Sequence, residues 1–361
     1  MKHFVFAIVI SLGALNAPSA IAAPDAKMIS WVMETTVDQV IIPAYENFDQ
    51  AVRQLKQQTT SLCQSPGNSS LTDARNAFSK TVIAWGGIEF LRSGPVMKNN
   101  RLERVLFYPD RKSTGLKQVQ RVLANEDASV TSIERLKKKS VAVQGLGALE
   151  FLLFGTGSDV LSATGETFRC KFADTVATNL QDIAAELVSA WKAEDGVKAE
   201  WKNPGSPNSV FRTNLEAVNE LLGTAVHGLE AVRDIRLGAF LRKAPSSDRP
   251  KSALLWRSNN TIPAMIANVE MVAKLFETGG MDKLISKDEF GVINSIKFEL
   301  IQVLSVLRAI DKPINLALKD ADQREKLEYL KLALGFLLKR VDTEYANAAG
   351  LASGFSFSDG D

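Results

Sequence analysis

Glu150 is the residue in this sequence whose surroundings most demand a chemical explanation. It lies in VAVQGLGALEFLLFG, residues 141–155, where only Gln144 and Glu150 interrupt an apolar run. A helix that is apolar all round is normally buried, and this one is too short to span a bilayer. A carboxylate placed there loses its hydration and must be paired, hydrogen-bonded, metal-bound or protonated. Two readings follow. Glu150 is a structural carboxylate tied to an arginine or to backbone donors, or it belongs to a functional site. Gly145 and Gly147 each cost such a helix about 1 kcal/mol relative to alanine. They read first as places where a neighbouring backbone comes close, and second as access for a ligand.

A second constellation is His227-x-x-Glu230, with Asp234 one turn later. Histidine and glutamate three apart share a helical face and can share a metal. On a helical wheel, however, Leu215, Val218, Leu222, Ala225, Leu229 and Val232 form one apolar stripe. His227, Glu230 and Asp234 fall nearly opposite, beside Glu216 and Glu220, so a solvated polar face competes with the metal site. The chain has two histidines, and His3 lies in the leader described below. A zinc site built on two histidines of one helix is therefore excluded, as is any His-dependent triad away from His227.

The elements that must position these groups begin after an export signal. Lys2 supplies the positive end, Phe4 to Leu15 the apolar stretch, and Ala20-Ile21-Ala22 the small-residue cleavage pattern, with cleavage after Ala22. No cysteine stands at that point to carry a lipid, and no later segment reads as a membrane span. The expected location is the periplasm. Cys63 and Cys170 then face an oxidising compartment, where a disulfide is the economical reading and two buried thiols the alternative. Closing a loop of about a hundred residues contributes up to about 4–5 kcal/mol in the chain-entropy model. Lys and Arg number 43 against 41 Asp and Glu, mixed along the chain, which argues against a nucleic-acid groove. Lys137-Lys138-Lys139 reads as a solvated turn.

The periodicity is helical almost throughout. A helix is expected from Ala26 to about Gln64, kinked at Pro43. The next runs from the SPGNSS turn to about Arg92, with Ser70 or Thr72 as cap. A short one covers Leu116 to Leu123. Thr131-Ser-Ile-Glu134 fits a capping box opening the helix that carries the apolar stretch. Another spans Phe168 to Trp191. Gly196, Pro204, Gly205 and Pro207 mark a domain boundary. Four further helices are expected at about 211–241, 258–277, 288–309 and 322–348, before a frayed GFSFSDGD tail. The fold class is all-α, as two helical bundles over residues 23–195 and 210–348, with a signal at 1–22 and a flexible tail at 349–361. Gly147-Ala-Leu-Glu150 can be laid on His227-Gly-Leu-Glu230, so the halves read as distant copies on the strength of one short match.

WGGIEFLRSGPV, RLERVLFYPDRKSTGLKQVQ and GLGALEFLLFG, in that order, resemble the imelysin family, as does SNNTIPAMIANVEMVAKLF in the second half. The resemblance implies an exported, all-helical, pseudo-symmetric two-domain protein linked to iron acquisition, in a family with some described metallopeptidases. The family's Gly-x-His-x-x-Glu signature reads here as Gly145-Leu146-Gly147-Ala148-Leu149-Glu150, so the histidine position is Gly147. Glycine coordinates nothing, and Glu150 alone is a poor metal site unless other oxygens converge on it. Glu89, Asp110 and Arg111 stand in the other matching motifs and are the candidate neighbours of Glu150. Pairing with Arg111 would make the pocket a neutralised remnant. Convergence of Glu89 and Asp110 would suit a hard cation.

Three functions remain. The resemblance favours a non-catalytic binding or accessory protein of iron or metal acquisition, with a metal ion or an iron-uptake component as partner and iron or another divalent metal as the possible cofactor. A metallopeptidase needs an open metal site that the missing histidine argues against. The third is a degenerate scaffold for a partner protein.

Overall fold

The computed structural model describes residues 24–110 and 112–352. The expected export signal, Arg111 and the chain beyond Ala352 lie outside the described residues. Every regular element among the described residues is a helix.

Helix α1 (Ala26–Thr36) and α2 (Ile42–Gln64) form the long first rod, joined by a π-helical turn over Val37–Ile41. The ring of Pro43 would clash with the carbonyl four residues back, at Gln39, inside that turn. Widening the helix there relieves the clash, so the kink expected at Pro43 appears as a π-turn just before it. Helix α3 (Asn68–Gly86) begins at Gly67 without a side-chain cap, so neither Ser70 nor Thr72 opens it, and it stops at Gly86 rather than near Arg92. Helix α4 is Thr114–Ala124.

The capping box expected at Thr131–Glu134 is absent. The Ser132 hydroxyl donates to Glu134 itself, and the helix opened there is only Ile133–Leu136. The apolar stretch is not one helix either. It comprises a 3-10 turn at Val141–Val143, a break at Gly145, and α5 (Leu146–Phe154). The reciprocal pattern occurs instead at Thr213, whose hydroxyl accepts from Glu216 N while the Glu216 carboxylate accepts from Arg212 N. It opens α7.

Helix α6 (Phe168–Lys192) is capped by Thr167 and packs along α2 with α3 on the other side. The Cys63–Cys170 disulfide joins the end of α2 to the start of α6. Trp201, on a short helix at Val197–Lys202, is buried between Trp191 and Phe211. The second half comprises α7 (Asn214–Glu230), α8 (Thr261–Glu277), α9 (Phe290–Arg308) and α10 (Ala321–Lys339). Helix α7 continues through a π-turn at Ala231–Leu237. Helix α3 packs on α8, and buried apolar residues from Ile29 to Leu351 form one cluster across the halves.

Two expectations about the second half need correction. Lys287–Arg308, 22 residues of mean hydropathy 1.5, is long and apolar enough by composition to cross a bilayer. Its Ile293, Ile296, Leu300, Val303 and Leu307 are buried in contacts with α8 and α10, while Phe298 and Ile301 are exposed. The tail also starts later than residue 349, because Ala349 and Leu351 are buried and Ala352 N donates to Asn219.

Helices α2 and α6 are already packed, so the disulfide acts chiefly on the unfolded chain. Replacing Cys63 and Cys170 by serine should cost about 2–5 kcal/mol. Denaturant midpoints should fall by that amount, with native helical circular dichroism retained in buffer.

Candidate functional site

Helix α5 is pinned at both ends. At its start Gln144, the other polar residue of the stretch, accepts from Arg104 Nε at 2.9 Å and donates to Lys139 O, and its carbonyl accepts from Asn179. At its end, Arg75 Nε donates to Leu153 O at 2.9 Å, and Arg169 Nη1 donates to Phe151 O and Leu152 O. Two guanidinium groups thus satisfy carbonyls that a helix C-terminus leaves unpaired, where positive charge is favoured. The break at Gly145 has a steric cause. A Cβ there would collide with the carbonyl oxygens of Arg104 and Val105. Gly147 is the opposite case: nothing lies within 4 Å of the position its Cβ would take, and the residue is exposed.

Between these glycines and the helix end, α5 projects Glu150, 4% exposed, toward the 3-10 turn Trp256–Ser258. Its Oε1 accepts from Arg257 N at 2.9 Å, Ser258 N at 3.0 Å and Ser258 Oγ at 3.0 Å. Its Oε2 lies 3.7 Å from the Arg257 guanidinium. The turn that presents those amides is unusual. Leu255 and Asn259 flank it in the left-handed region, at φ 51° and 59°. Such backbone costs on the order of 1–3 kcal/mol per residue and persists only when over-determined by its surroundings. Here Asn260 Nδ2 donates to Ser79 Oγ and Ser258 O, and Thr261 Oγ1 donates to Leu254 O. Burial nevertheless dominates, pushing the Glu150 carboxyl above the ordinary glutamate value of 4.5 against the lowering effect of its donors.

Glu150 and Gly147 line a cavity of about 480 Å³, within the range of small-molecule sites. Its walls come from residues 106–119 and 147–151 of the first half and 234–257 of the second. Phe107, Tyr108, Phe151 and Trp256 supply aromatic surface.

The remaining candidates separate. Asp110 lines the cavity, but its carboxylate accepts from the backbone N–H groups of Thr114, Gly115 and Leu116 and caps α4. Glu89 is buried and bonded elsewhere, to Arg236 at 2.6 Å and to Asn268 at 2.7 Å. Arg236 in turn lies 4.5 Å over the Tyr108 ring. Glu89 and Asp110 therefore do not converge on Glu150. The proposed pairing with Arg111 falls outside the described residues, and the cation beside Glu150 is Arg257. His227 Nδ1 lies 3.1 Å from Glu230 Oε2, away from Glu150 on α7. On that face Glu216, Glu220 and Asp234 are exposed, while His227 and Glu230 are half-buried. Leu215, assigned to the apolar stripe, is exposed instead. Asp234 leaves the His227 constellation for a two-point bond to Arg233 and lines the Glu150 cavity. No three His, Cys, Asp or Glu side chains among the described residues gather as a metal site.

Sequence reasoning did not place Arg257, Ser258 or Asn260 in the site. Their signal was Asn259-Asn260 ahead of Thr-Ile-Pro, since asparagine tolerates left-handed backbone and turns chains.

Compared with known proteins, residues 41–341 match the family model described as Imelysin. No curated protein matches the chain. An imelysin-like protein of Psychrobacter arcticum 273-4 shares its fold, with a TM-score of 0.73 at 17% identity over 93% of this chain and 100% of that one. So does a Parabacteroides distasonis ATCC 8503 protein assigned as an iron-regulated protein A precursor, with a TM-score of 0.74 at 15% identity over 91% and 96% of the two chains.

Gly145→Ala should destabilise by about 1–3 kcal/mol or more, because backbone must move. Gly147→Ala should change stability by no more than about 1 kcal/mol, in the stabilising direction. Urea unfolding of the two variants checks the contrast. A pH dependence also follows. Burial makes the folded protein hold the Glu150 proton to higher pH than the unfolded chain does. The stability this carboxyl contributes is therefore full below the unfolded value of 4.5 and is lost as pH rises toward the folded one. The advantage of wild type over Glu150→Gln should shrink as pH rises above about 4.5, in unfolding free energies measured across that rise.

Proposed function

The chain belongs to the imelysin family, and from that premise we propose that it is an exported, non-catalytic binding protein of iron acquisition whose ligand enters the cavity beside Gly147 and Glu150. The observation that carries the proposal is the state of Glu150. Its Oε1 already accepts three hydrogen bonds from the turn that closes the cavity. With Oε1 so engaged, Oε2 alone is left to take a proton from water, and the Arg257 guanidinium beside it disfavours that proton transfer. The residues at the motif do not fit a resident metal. Gly147 offers no donor atom, Oε1 is saturated, and the cation Arg257 stands at Oε2.

The same substitution that removes a metal ligand opens space. An imidazole at residue 147 would project from the exposed start of α5 into the cavity, whereas glycine leaves that volume to a ligand. The link to iron rests on family membership and on the Parabacteroides distasonis relative assigned as iron-regulated. Export rests on the leader at residues 1–22, which would place the mature chain in the periplasm.

Gly147→Trp tests the binding reading without disturbing the core, because the indole would grow into the cavity. Native mass spectrometry of wild type purified from iron-limited cells should show a bound small molecule that the variant lacks, at unchanged Tm. Loss of the gene should slow growth only when iron is scarce. A chelator-sensitive peptidase activity in the mature protein, abolished by Glu150→Ala, would overturn the proposal. Gly147→His should create an affinity for divalent cations, measured by titration calorimetry, that Gly147→Ala does not have.

A further inference from the structure

The charges of the cavity beside Glu150 do not balance once the hydrogen bonds are assigned. Its lining carries three acids, Asp110, Glu150 and Asp234, and four bases, Arg242, Arg249, Lys251 and Arg257. Each acid is already engaged. Asp110 caps α4, Asp234 is gripped by Arg233, and Glu150 receives the Arg257–Ser258 turn. Burial also holds the Glu150 carboxyl toward its neutral form. The bases are not matched in the same way. Arg249 and Lys251 make no ion pair among the described residues and are exposed. Arg242 is half-buried. Its Nη2 donates to Ala239 O at 3.1 Å, but its Nε–H is buried without an acceptor. Arg257 lies flat on aromatic surface, 4.6 Å from the Trp256 ring and 5.5 Å from the Phe151 ring.

We propose that this cavity takes an organic anion, a molecule with a carboxylate or phosphate group on a flat, apolar body. The inference rests on the binding reading above and specifies its ligand class. The anionic group meets Arg242 inside and Arg249 and Lys251 at the rim, where unpaired cations also steer an anion inward. The flat body lies against Tyr108, Phe107 and Trp256. A guanidinium suits such oxygens because its planar donors match them two at a time. A bare cation is disfavoured at the same place, since the acidic oxygens are occupied and the unmatched charge is positive. Iron carried by this protein would therefore travel inside an anionic chelate.

The test uses the mature full chain and four defined probes: benzoate, phenyl phosphate, neutral benzyl alcohol of similar bulk, and ferrous ion. Titration calorimetry should detect benzoate or phenyl phosphate and neither of the others. Which of the two anions binds distinguishes a carboxylate from a phosphate ligand. Added salt should weaken the binding. Arg242→Gln should lower anion affinity at least tenfold, with partial rescue by Arg242→Lys. Arg249→Gln with Lys251→Gln, both exposed and safe for folding, should lower the association rate several-fold. The inference is overturned if neither anion binds, if benzyl alcohol binds as tightly, or if the arginine variants leave anion affinity unchanged. Ferrous ion binding alone would overturn the ligand class and leave the binding reading standing. Probe-independent peptidase activity would remove the binding reading itself.

Discussion

The structure depends on one carboxylate crossing from the first half of the chain to the second. Glu150 arises on a helix with no other acid and ends on the backbone of residues 257 and 258. Removing such a group from water costs several kcal/mol even after relaxation. Two amides, a hydroxyl and a nearby guanidinium offset that cost, each charge-assisted bond contributing about 1.5–3 kcal/mol. The bonds are long-range in sequence, so they form only when both halves are folded and docked. The same contact holds Leu255 and Asn259 in left-handed backbone, which the turn would not adopt unaided. A second buried tie, Glu89 to Arg236 with Asn268, also crosses the halves. The cavity lies beside the first tie and is roofed by the turn it holds.

The helical architecture was legible because it rests on local periodicity. α2, α6, α8 and α9 occupy the stretches that apolar spacing marks out, and the disulfide follows from two cysteines in a chain expected to be exported. The failures were local too, and each has a competing cause. Thr131–Glu134 has the spacing of a capping box, but the Ser132 hydroxyl reached Glu134 first. The apolar stretch reads as one helix by composition, yet the carbonyls of Arg104 and Val105 occupy the space that a side chain at Gly145 would need. Helix periodicity carries no information about a backbone arriving from forty residues upstream.

The site was half legible. That Glu150 is buried and that it needs donors followed from its neighbours. Which donors it has did not, because Arg257 and Ser258 contribute backbone amides, and any residue type carries one. Asp110 illustrates the same limit in reverse. Its charge and motif suggested a ligand, while Thr114, Gly115 and Leu116 consume it as a cap. The wheel placed His227 and Glu230 opposite a core stripe, correctly by angle. It could not show that Asp342, from the π-turn Arg340–Tyr345 after α10, would come close enough to interact electrostatically with both.

The change at residue 147 shows how the chemistry of a pocket can turn over while its frame stays. An imidazole there would compete with Arg257 for the open side of Glu150 and draw positive charge inward as a metal. With glycine, the cation at Oε2 among the described residues is the guanidinium 3.7 Å away, stacked on Trp256 and Phe151. Guanidinium and metal cannot occupy that side together without repulsion in a low-dielectric cleft. Once the carboxylate is committed to the turn and the arginine stands beside it, the remaining field of the cavity is set by its other bases. On the binding proposal, the frame that would hold a cation between acids becomes one that admits it only if it arrives already wrapped in negative charge.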